Sequence, residues 1–262
     1  TVVLFALLGG LVICGVGQLI APTLLHLIGT PDNVIGLAGI YLRIYLLGIP
    51  FISLFNFGSA ILRSSGDTKR PMYCLIVAGV LNLLLNLLLV IVFKMSVAGV
   101  AIATAVSNVV SSLMITYMLT KEEGMLHLDI SKLKIHKEPL IKILKTGTPA
   151  SIQGMVFSIA NISIQSGINS FGSNAIAGNS AAANYEIFGY FACNAFNQTA
   201  VTFIGQNYAA GLYDRCKKIH KLCLLESINI NGIFKKNHIW EARFFMLIII
   251  FGMSPNLFFL LI

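Results

Sequence analysis

One carboxylate, Glu186, lies well inside an apolar stretch of the chain. The other nine Asp and Glu residues lie in loops or in the C-terminal tail. A charged side chain inside a bilayer is costly, so such residues usually face a cavity, an ion path or a partner. Burial also favours the protonated form of a carboxyl group, which suits proton exchange. Glu186 is therefore a candidate coupling residue; the alternative is a solvated side chain in a water-filled vestibule beside the polar segment 178–184.

Amide side chains recur with four-residue spacing in three apolar stretches. Residues four apart share one face of a helix, so each pair forms a polar stripe. Three such stripes predict a hydrated central path, whereas any single amide has an alternative role as a hydrogen-bonding group between helices. The amides are Asn82, Asn86, Asn161, Gln165, Asn194, Asn197 and Gln198.

The elements that position these side chains are apolar stretches of membrane-spanning length. A helix needs about 20 apolar residues to cross a bilayer. The chain is 56% hydrophobic and 11% charged, where soluble domains carry about 25% charged residues. We therefore predict an all-α protein, a polytopic membrane helical bundle. The predicted spans are 2–28, 44–62, 71–93, 96–119, 147–170 and 175–207.

Basic residues occupy every second gap between the spans. The loops 63–70, 121–146 and 212–221 hold 13 of the 18 Lys and Arg residues. Loops rich in Lys and Arg stay cytoplasmic, so these three are predicted to face the cytoplasm of a multi-pass protein of the cell (inner or plasma) membrane. The net charge of +8 is dispersed between spans without a nucleic-acid-binding pattern. The expected partner is the lipid bilayer with its anionic headgroups, and no nucleic acid.

The segment 121–146 divides the chain into a block of four spans, 1–120, and a block of two spans, 147–213. It is charged and ends in a basic amphipathic stretch, which predicts a linker with a helix on the membrane surface. In the first block, Pro22 is expected to kink the first span or end it near Ala21, and Pro71 suits the first position of a helix. In the tail 214–262, the stretch 244–262 is a possible extra crossing, a re-entrant piece, or the product of a truncated or frame-shifted tail.

Signatures of enzymes and metal sites are missing from the sequence. It contains no H-E-x-x-H, G-x-S-x-G or Walker A pattern, and its five Cys residues show no C-x-x-C spacing. The five His residues are scattered, most of them in loops or the tail. We predict no enzyme activity, no metal site and no cofactor, and we interpret the Cys residues as packing groups.

Two sets of motifs resemble the multidrug and toxic compound extrusion (MATE) transporters. In the first block these are Leu47–Phe51, the turn Leu62–Pro71 with Arg63, Gly66, Asp67, Lys69 and Pro71, the pair Asn82 and Asn86, and Val97–Thr104. In the second block they are Gly147–Ser151, Ala177–Asn179 and the motif Gly205–Gly211 at the end of the last span. The residues of interest in that motif are Gly205, Gln206, Asn207 and Gly211.

The resemblance implies twelve helices in two six-helix lobes and export of cationic drugs against Na⁺ or H⁺, with no other cofactor. The six spans look like helices three to eight, and 121–146 looks like the linker between lobes. We accordingly expect a monomeric multidrug efflux antiporter with small organic cations as substrates, represented here by a fragment. Because the chain begins at Thr1 inside an apolar stretch, the N-terminus of a longer protein is expected to be missing.

The chain departs from the family pattern at its coupling residues. Family members often use an Asp in the first helix, which has no counterpart here, or an acidic residue in the seventh, whereas 147–170 contains none. Glu186 is the candidate that is left. The alternatives are a lipid-linked precursor flippase of the same superfamily, which would need basic residues deep in its spans, an intramembrane enzyme, and a non-functional truncated remnant.

Overall fold

The structure is a computed structural model that describes residues 1–27, 32–169, 171 and 173–235. The regular structure in these ranges is helical. No β-strand occurs in these ranges, so the all-α prediction is confirmed. The α-helices are α1 (Val2–Leu27), α2 (Asp32–Ser64), α3 (Lys69–Asn86), α4 (Ser96–Lys121), α5 (Lys137–Asn169), α6 (Ser173–Ala209) and α7 (Tyr213–Lys235). The chain divides into two units, Thr1–Lys142 and Ile143–Ile262.

Four helical segments of the first unit are long and apolar enough to cross a membrane. Their large apolar side chains point outwards: Leu19 is 82% exposed and Leu83 is 60% exposed. Such exposure opposes folding in water but matches a hydrocarbon solvent. The protein is therefore a multi-pass membrane protein. The segments are Val2–Leu27, Ile35–Ser64, Lys69–Val92 and Ser96–Lys121. Helices α5 and α6 cover the other two expected spans, and their crossing stays a prediction.

Two proline predictions differ from the structure in detail. Helix α1 continues past Pro22 to Leu27, so the alternative that it ends near Ala21 is wrong. Membrane helices tolerate proline because neighbouring groups and local backbone adjustments satisfy the freed carbonyl. Pro71 is the third residue of α3 instead of the first. It is still accommodated, because the first N–H groups of a helix have no intrahelical acceptor.

Close backbone contact joins α1 to α2 and α2 to α4. A Cβ atom added at Gly10 would lie 2.6 Å from the Pro50 Cα atom, so only glycine permits this crossing. On α4, Ala101 and Ala103 are fully buried. Small residues let membrane helices approach closely, and packing then replaces the hydrophobic effect as the force that holds them. One cluster of larger buried side chains joins the C-terminal parts of α2 and α4 to the start of α3: Phe55, Leu62, Cys74, Ile115 and Leu119.

The turn from α3 to α4 is tight and begins with a π-helical segment. Helix α3 continues as a π-helix over Leu87–Val92, directly after Asn86. Lys94 and Ser96 have φ angles of 51° and 50°, and the Met95 N–H donates to the Leu89 carbonyl at 2.9 Å. Single-turn π segments often mark functional positions in helices. The hairpin of α3 and α4 is therefore built around an irregularity that follows a candidate amide.

The predicted linker has only short helical turns before α5 begins. It contains 3₁₀ turns at Gly124–Leu126 and Ile130–Lys132. The amphipathic stretch up to residue 146 is helical and forms the first turns of α5. In the second unit, α6 packs against α7, and residues 236–262, with the possible extra span 244–262, lie outside the described part of the chain.

Substituting Gly10 by Ala is expected to lower the thermal unfolding midpoint of the detergent-purified chain. The added methyl group would meet the Pro50 backbone, and overpacking of this kind costs about 1–3 kcal/mol. Circular dichroism on heating measures the effect. Gly9→Ala is the matched control, because a Cβ atom at Gly9 meets nothing within 4 Å. Equal midpoints for the two variants would contradict the proposed α1–α2 contact.

Candidate functional site

Two predicted amides and one threonine form a hydrogen-bonded group between α3 and α4. The Asn86 Nδ2 group donates to Asn82 Oδ1 at 2.9 Å, and Asn82 Nδ2 donates to Thr104 Oγ1 at 3.4 Å. The Thr104 hydroxyl donates in turn to the Val100 carbonyl at 3.0 Å. We call Asn82, Asn86 and Thr104 the α3–α4 amide cluster. The four-residue spacing of the two amides brings them together on one helix face, and the hairpin supplies the threonine.

One acceptor of this cluster has no partner. Asn86 Oδ1 is buried and accepts no hydrogen bond in the described part of the chain. A buried acceptor left unpaired costs about 1–3 kcal/mol, and such atoms call for a water, an ion or a functional explanation. The amide and hydroxyl oxygens of the cluster are of the type that hard cations prefer. The arrangement is therefore chemically able to hold a water molecule or a small hard cation.

The amides of the second unit lie on two helices and differ in their exposure. Asn161 on α5 and Gln198 on α6 are exposed, whereas Gln165 and Asn194 are half-buried. Asn197 lies against α7 instead. The side chain of Glu186, on α6, lies outside the described part of the structure. The hydrated path inferred from all three stripes stays a prediction.

A small pocket between α6 and α7 contains two buried polar atoms without partners. Asn197 Oδ1 and His220 Nδ1 both lack a hydrogen bond among the described residues, and both side chains line the same pocket. The pocket has room for about one water-sized occupant. Burial lowers the pKa of His220 below its ordinary value of 6.5 and raises the pKa of the Cys223 thiol. The pocket therefore favours a neutral imidazole. Its lining is Phe196, Asn197, Ala200, His220, Cys223, Leu224 and Ser227.

The turn between α2 and α3 is an ion-paired cap. Gly66 has a φ of 93°, a conformation that glycine adopts without strain. Asp67 Oδ1 accepts from the backbone N–H groups of Lys69 at 3.0 Å and Arg70 at 3.1 Å, which caps the start of α3. The Arg70 guanidinium pairs with the carboxylates of both Asp67 and Glu122. Arg70 thus ties the start of α3 to the end of α4.

The pKa values of both carboxylates follow from this bridge. Hydrogen bonding from Arg70 is the main cause that lowers the pKa of Asp67 below 3.8 and the pKa of Glu122 below 4.5. Both groups are therefore ionised at neutral pH, and the bridge is intact there. Arg63, also singled out by the motif, lies in the last turn of α2 and accepts from the Gly66 N–H at 3.0 Å through its carbonyl.

The second motif closes α6. The Asn207 side chain donates from Nδ2 to the Phe203 carbonyl at 2.8 Å, and its own carbonyl accepts from the Leu212 N–H at 2.8 Å. The Gln206 carbonyl accepts from the Ala210 N–H at 3.1 Å. These contacts end one helix and begin the next, so the residues have at least a turn-forming role. Gly205 and Gly211 complete the motif at the exposed end of α6 and in the turn.

Four residues of these sites are missing from the individually named sequence candidates: Arg70, Thr104, Glu122 and His220. Arg70 and Thr104 lie inside the motif ranges, but neither carries an amide or a carboxylate that would single it out. Glu122 pairs with a residue 52 positions away, which spacing within one helix does not reveal. His220 lies in a basic loop pattern that predicts solvent exposure.

These features together define a class. Apolar helices that pack through small residues and are joined by hydrogen-bonded amides are typical of polytopic membrane proteins.

Comparisons with known proteins agree on one family. The model of the MatE family matches residues 1–88. The "Probable multidrug resistance protein YoeA" of Bacillus subtilis (strain 168) is 31% identical over 240 residues, which cover 89% of this chain and 52% of that protein. The "Probable multidrug resistance protein YpnP" of the same strain is 32% identical over 195 residues, covering 74% and 43%. The chain spans about half the length of the curated relatives it matches.

A solved structure gives the same fold. The outward-facing conformation of "a multidrug resistance MATE family transporter of the MOP superfamily" matches with a TM-score of 0.80 at 23% identity. The match covers 91% of this chain and 53% of that chain. The resemblance to MATE transporters seen in the motifs of the chain is confirmed by the family model, by the relatives and by the fold.

Substituting Arg70 by Gln is expected to lower the thermal unfolding midpoint at neutral pH, because Asp67 and Glu122 lose their shared cation. Their lowered pKa values mean that this stabilisation is present above about pH 4.5 and is lost as the pH falls below 3.8. The difference in midpoint between the natural chain and Arg70→Gln should therefore shrink on acidification.

Lys69→Gln is the control for this comparison. It removes the same charge next to Arg70, but the Lys69 ammonium has no carboxylate partner in the described part of the chain. It should leave the midpoint nearly unchanged at both pH values. A Lys69→Gln effect as large as that of Arg70→Gln would show that net charge, not the bridge, is responsible.

Contact between α7 and α6 is expected to weaken as the pH falls below 6.5. His220 is neutral in the pocket, so protonation favours the separated helices, and the loss grows from 6.5 towards the lowered pKa. No charged side chain lines the described pocket to offset the charge. Labelling of Cys223 by a pyridyl disulfide, normalised to the denatured chain, should quicken several-fold from about pH 7.5 to about pH 5.

His220→Gln removes the titrating group at this position and should flatten the dependence of Cys223 labelling on pH. A natural chain whose labelling rate does not change with pH would contradict the prediction. So would a His220→Gln variant that keeps the full change.

Proposed function

We propose that this chain is part of a multidrug efflux antiporter that exports small organic cations in exchange for Na⁺ or H⁺ across the cell (inner or plasma) membrane. The observation that carries the proposal is the unpartnered Asn86 oxygen of the α3–α4 amide cluster. Similarity to the MATE family supports transport, and two relatives named as probable multidrug resistance proteins support drugs as the exported substrates. The proposed partners are the bilayer and the substrate, and the proposed working form is a monomer that is not an enzyme.

The chemistry of the cluster favours a metal cation over a proton at this point. Amide and hydroxyl groups do not titrate near neutral pH, so Asn82, Asn86 and Thr104 have no proton to exchange. Their oxygen atoms can instead replace part of the hydration shell of Na⁺. A proton-coupled cycle requires a carboxylate, and Glu186 is the candidate for that role.

The site is also suited to respond to its occupant. Asn86 is followed directly by the π-helical segment Leu87–Val92, and Asn82 is bonded across to Thr104 on the facing helix. A cation held by these oxygens would therefore change how α3 packs against α4. In an antiporter, such a link lets ion binding favour one arrangement of the lobe over another.

Binding of Na⁺ to the purified chain tests the cluster directly. A ligand that binds only the folded state raises the unfolding midpoint as its concentration rises. NaCl is expected to raise the midpoint above that in KCl of equal ionic strength, and Thr104→Val and Asn86→Ala should abolish the difference.

Thr116→Val is the matched control for the binding test. The Thr116 hydroxyl donates to the Ser112 carbonyl at 2.7 Å on the same helix, just as Thr104 donates to Val100. It lacks a described amide partner, so its variant should keep the full Na⁺ effect. Equal midpoints in NaCl and KCl for the natural chain would overturn the assignment of Na⁺ to this cluster.

Efflux of ethidium from cells that express the chain tests transport itself. Asn82→Ala and Asn86→Ala should reduce a Na⁺-driven rate at least tenfold, whereas Glu186→Gln should reduce a proton-driven rate. Thr116→Val again serves as control. A chain that binds Na⁺ as expected but exports nothing would separate the cation site from the proposed efflux activity.

A further inference from the structure

The linker of the first unit contains exposed basic and apolar residues that lie close together in sequence. Lys134 and Lys137 are exposed on either side of Ile135, whose side chain is 44% exposed. We call Lys134, Ile135 and Lys137 the linker patch. The linker patch shares no residue with the α3–α4 amide cluster. The inference drawn from the patch does not depend on the proposed function.

The backbone of the patch is fixed to the helical bundle. The Thr1 hydroxyl at the start of α1 donates to the Lys134 carbonyl at 3.1 Å and accepts from the His136 N–H at 2.9 Å. Further back, the Leu128 N–H donates to the Leu119 carbonyl at 2.9 Å. The patch is therefore held level with one end of α1 and α4, at the surface where membrane helices end.

Most acidic groups of the linker are already neutralised. Glu122 pairs with Arg70, and Asp129 pairs with Lys132 at 3.1 Å. Glu138 pairs with Lys142 at 3.0 Å. The ammonium groups of Lys134 and Lys137 pair with no carboxylate in the described part of the chain. They are thus two free positive charges three residues apart, and the nearest acids in sequence are occupied.

The apolar side chain between the two charges distinguishes a lipid surface from a soluble anion. An exposed isoleucine gains nothing from a dissolved phosphate, whereas it gains free energy when it enters the boundary between headgroups and acyl chains. Lysines near an anionic membrane surface add an electrostatic attraction. A second exposed isoleucine, Ile130 (60% exposed), lies in the same linker.

We propose that the linker patch is a binding site for the headgroup of an anionic phospholipid. Lys134 and Lys137 contact the phosphate, and Ile135 inserts beside the acyl chains. The site anchors the linker to the membrane surface through one class of lipid. Its chemistry matches phosphatidylglycerol, whose net charge is negative, better than zwitterionic phosphatidylcholine.

Titration of the full purified chain with each lipid tests the proposal. Dioleoyl phosphatidylglycerol or dioleoyl phosphatidylcholine is added to detergent micelles, and binding is counted by native mass spectrometry. The natural chain should bind phosphatidylglycerol about tenfold more tightly than phosphatidylcholine. The double variant Lys134→Gln, Lys137→Gln should lose this preference, and Lys134→Arg, Lys137→Arg should restore it.

Two further variants separate the parts of the site. Lys94→Gln removes a charge at the opposite end of α3 and should leave the preference unchanged. Ile135→Gln should weaken phosphatidylglycerol binding several-fold while both charges remain. The Arg variant also guards against misfolding, because it keeps charge and should keep both stability and binding.

Three outcomes would overturn the proposal. One is equal binding of the two lipids by the natural chain. Another is an unchanged preference in the double Gln variant. The third is full displacement of phosphatidylglycerol by inorganic phosphate at constant ionic strength, which would identify the patch as a site for a soluble anion.

Discussion

The absence of water between membrane helices is the constraint on which this structure depends. In hydrocarbon, every polar group must find a partner inside the protein. Helix α4 meets this demand by bonding its hydroxyls back to its own carbonyls: Ser107 donates to Ala103 at 2.7 Å, and Thr116 donates to Ser112 at 2.7 Å. Against that background an unpaired oxygen is informative. Asn86 Oδ1 is conspicuous because nearby polar groups of the hairpin do have partners.

The same constraint explains how the helices are held. Lipid is as apolar as leucine, so burying large side chains gives little driving force between spans. Close approach of the helix backbones stabilises the bundle instead. It is seen where Gly10 meets Pro50 and where Ala101 and Ala103 are fully buried. The ion pairs of Arg70 lie where water returns, beyond the apolar part of α2. Close packing thus stabilises the helices within the bilayer, and charge pairing stabilises them at its surface.

Much of this architecture follows from the sequence, because hydropathy and loop charge act locally. The expected span 71–93 agrees with the helical segment Lys69–Val92. The span 44–62 is too short, because Arg43 interrupts the apolar run while the helix itself continues back to Asp32. Asn82 and Asn86 could be paired from their spacing alone. Their bond to Thr104 could not, since it joins residues 22 apart across a turn whose geometry no pattern specifies.

The tight turn between α3 and α4 has a consequence for how this protein enters the membrane during synthesis. Only Phe93, Lys94 and Met95 separate the π-helical segment from α4, so the two helices meet as soon as both have been made. The contact between Asn82 and Thr104 is local to this hairpin and requires nothing from later parts of the chain. Each amide therefore enters hydrocarbon with at least one hydrogen bond made, and Asn86 Oδ1 stays without a partner among the described residues. Insertion as a hairpin lowers the cost of desolvating the two carboxamides.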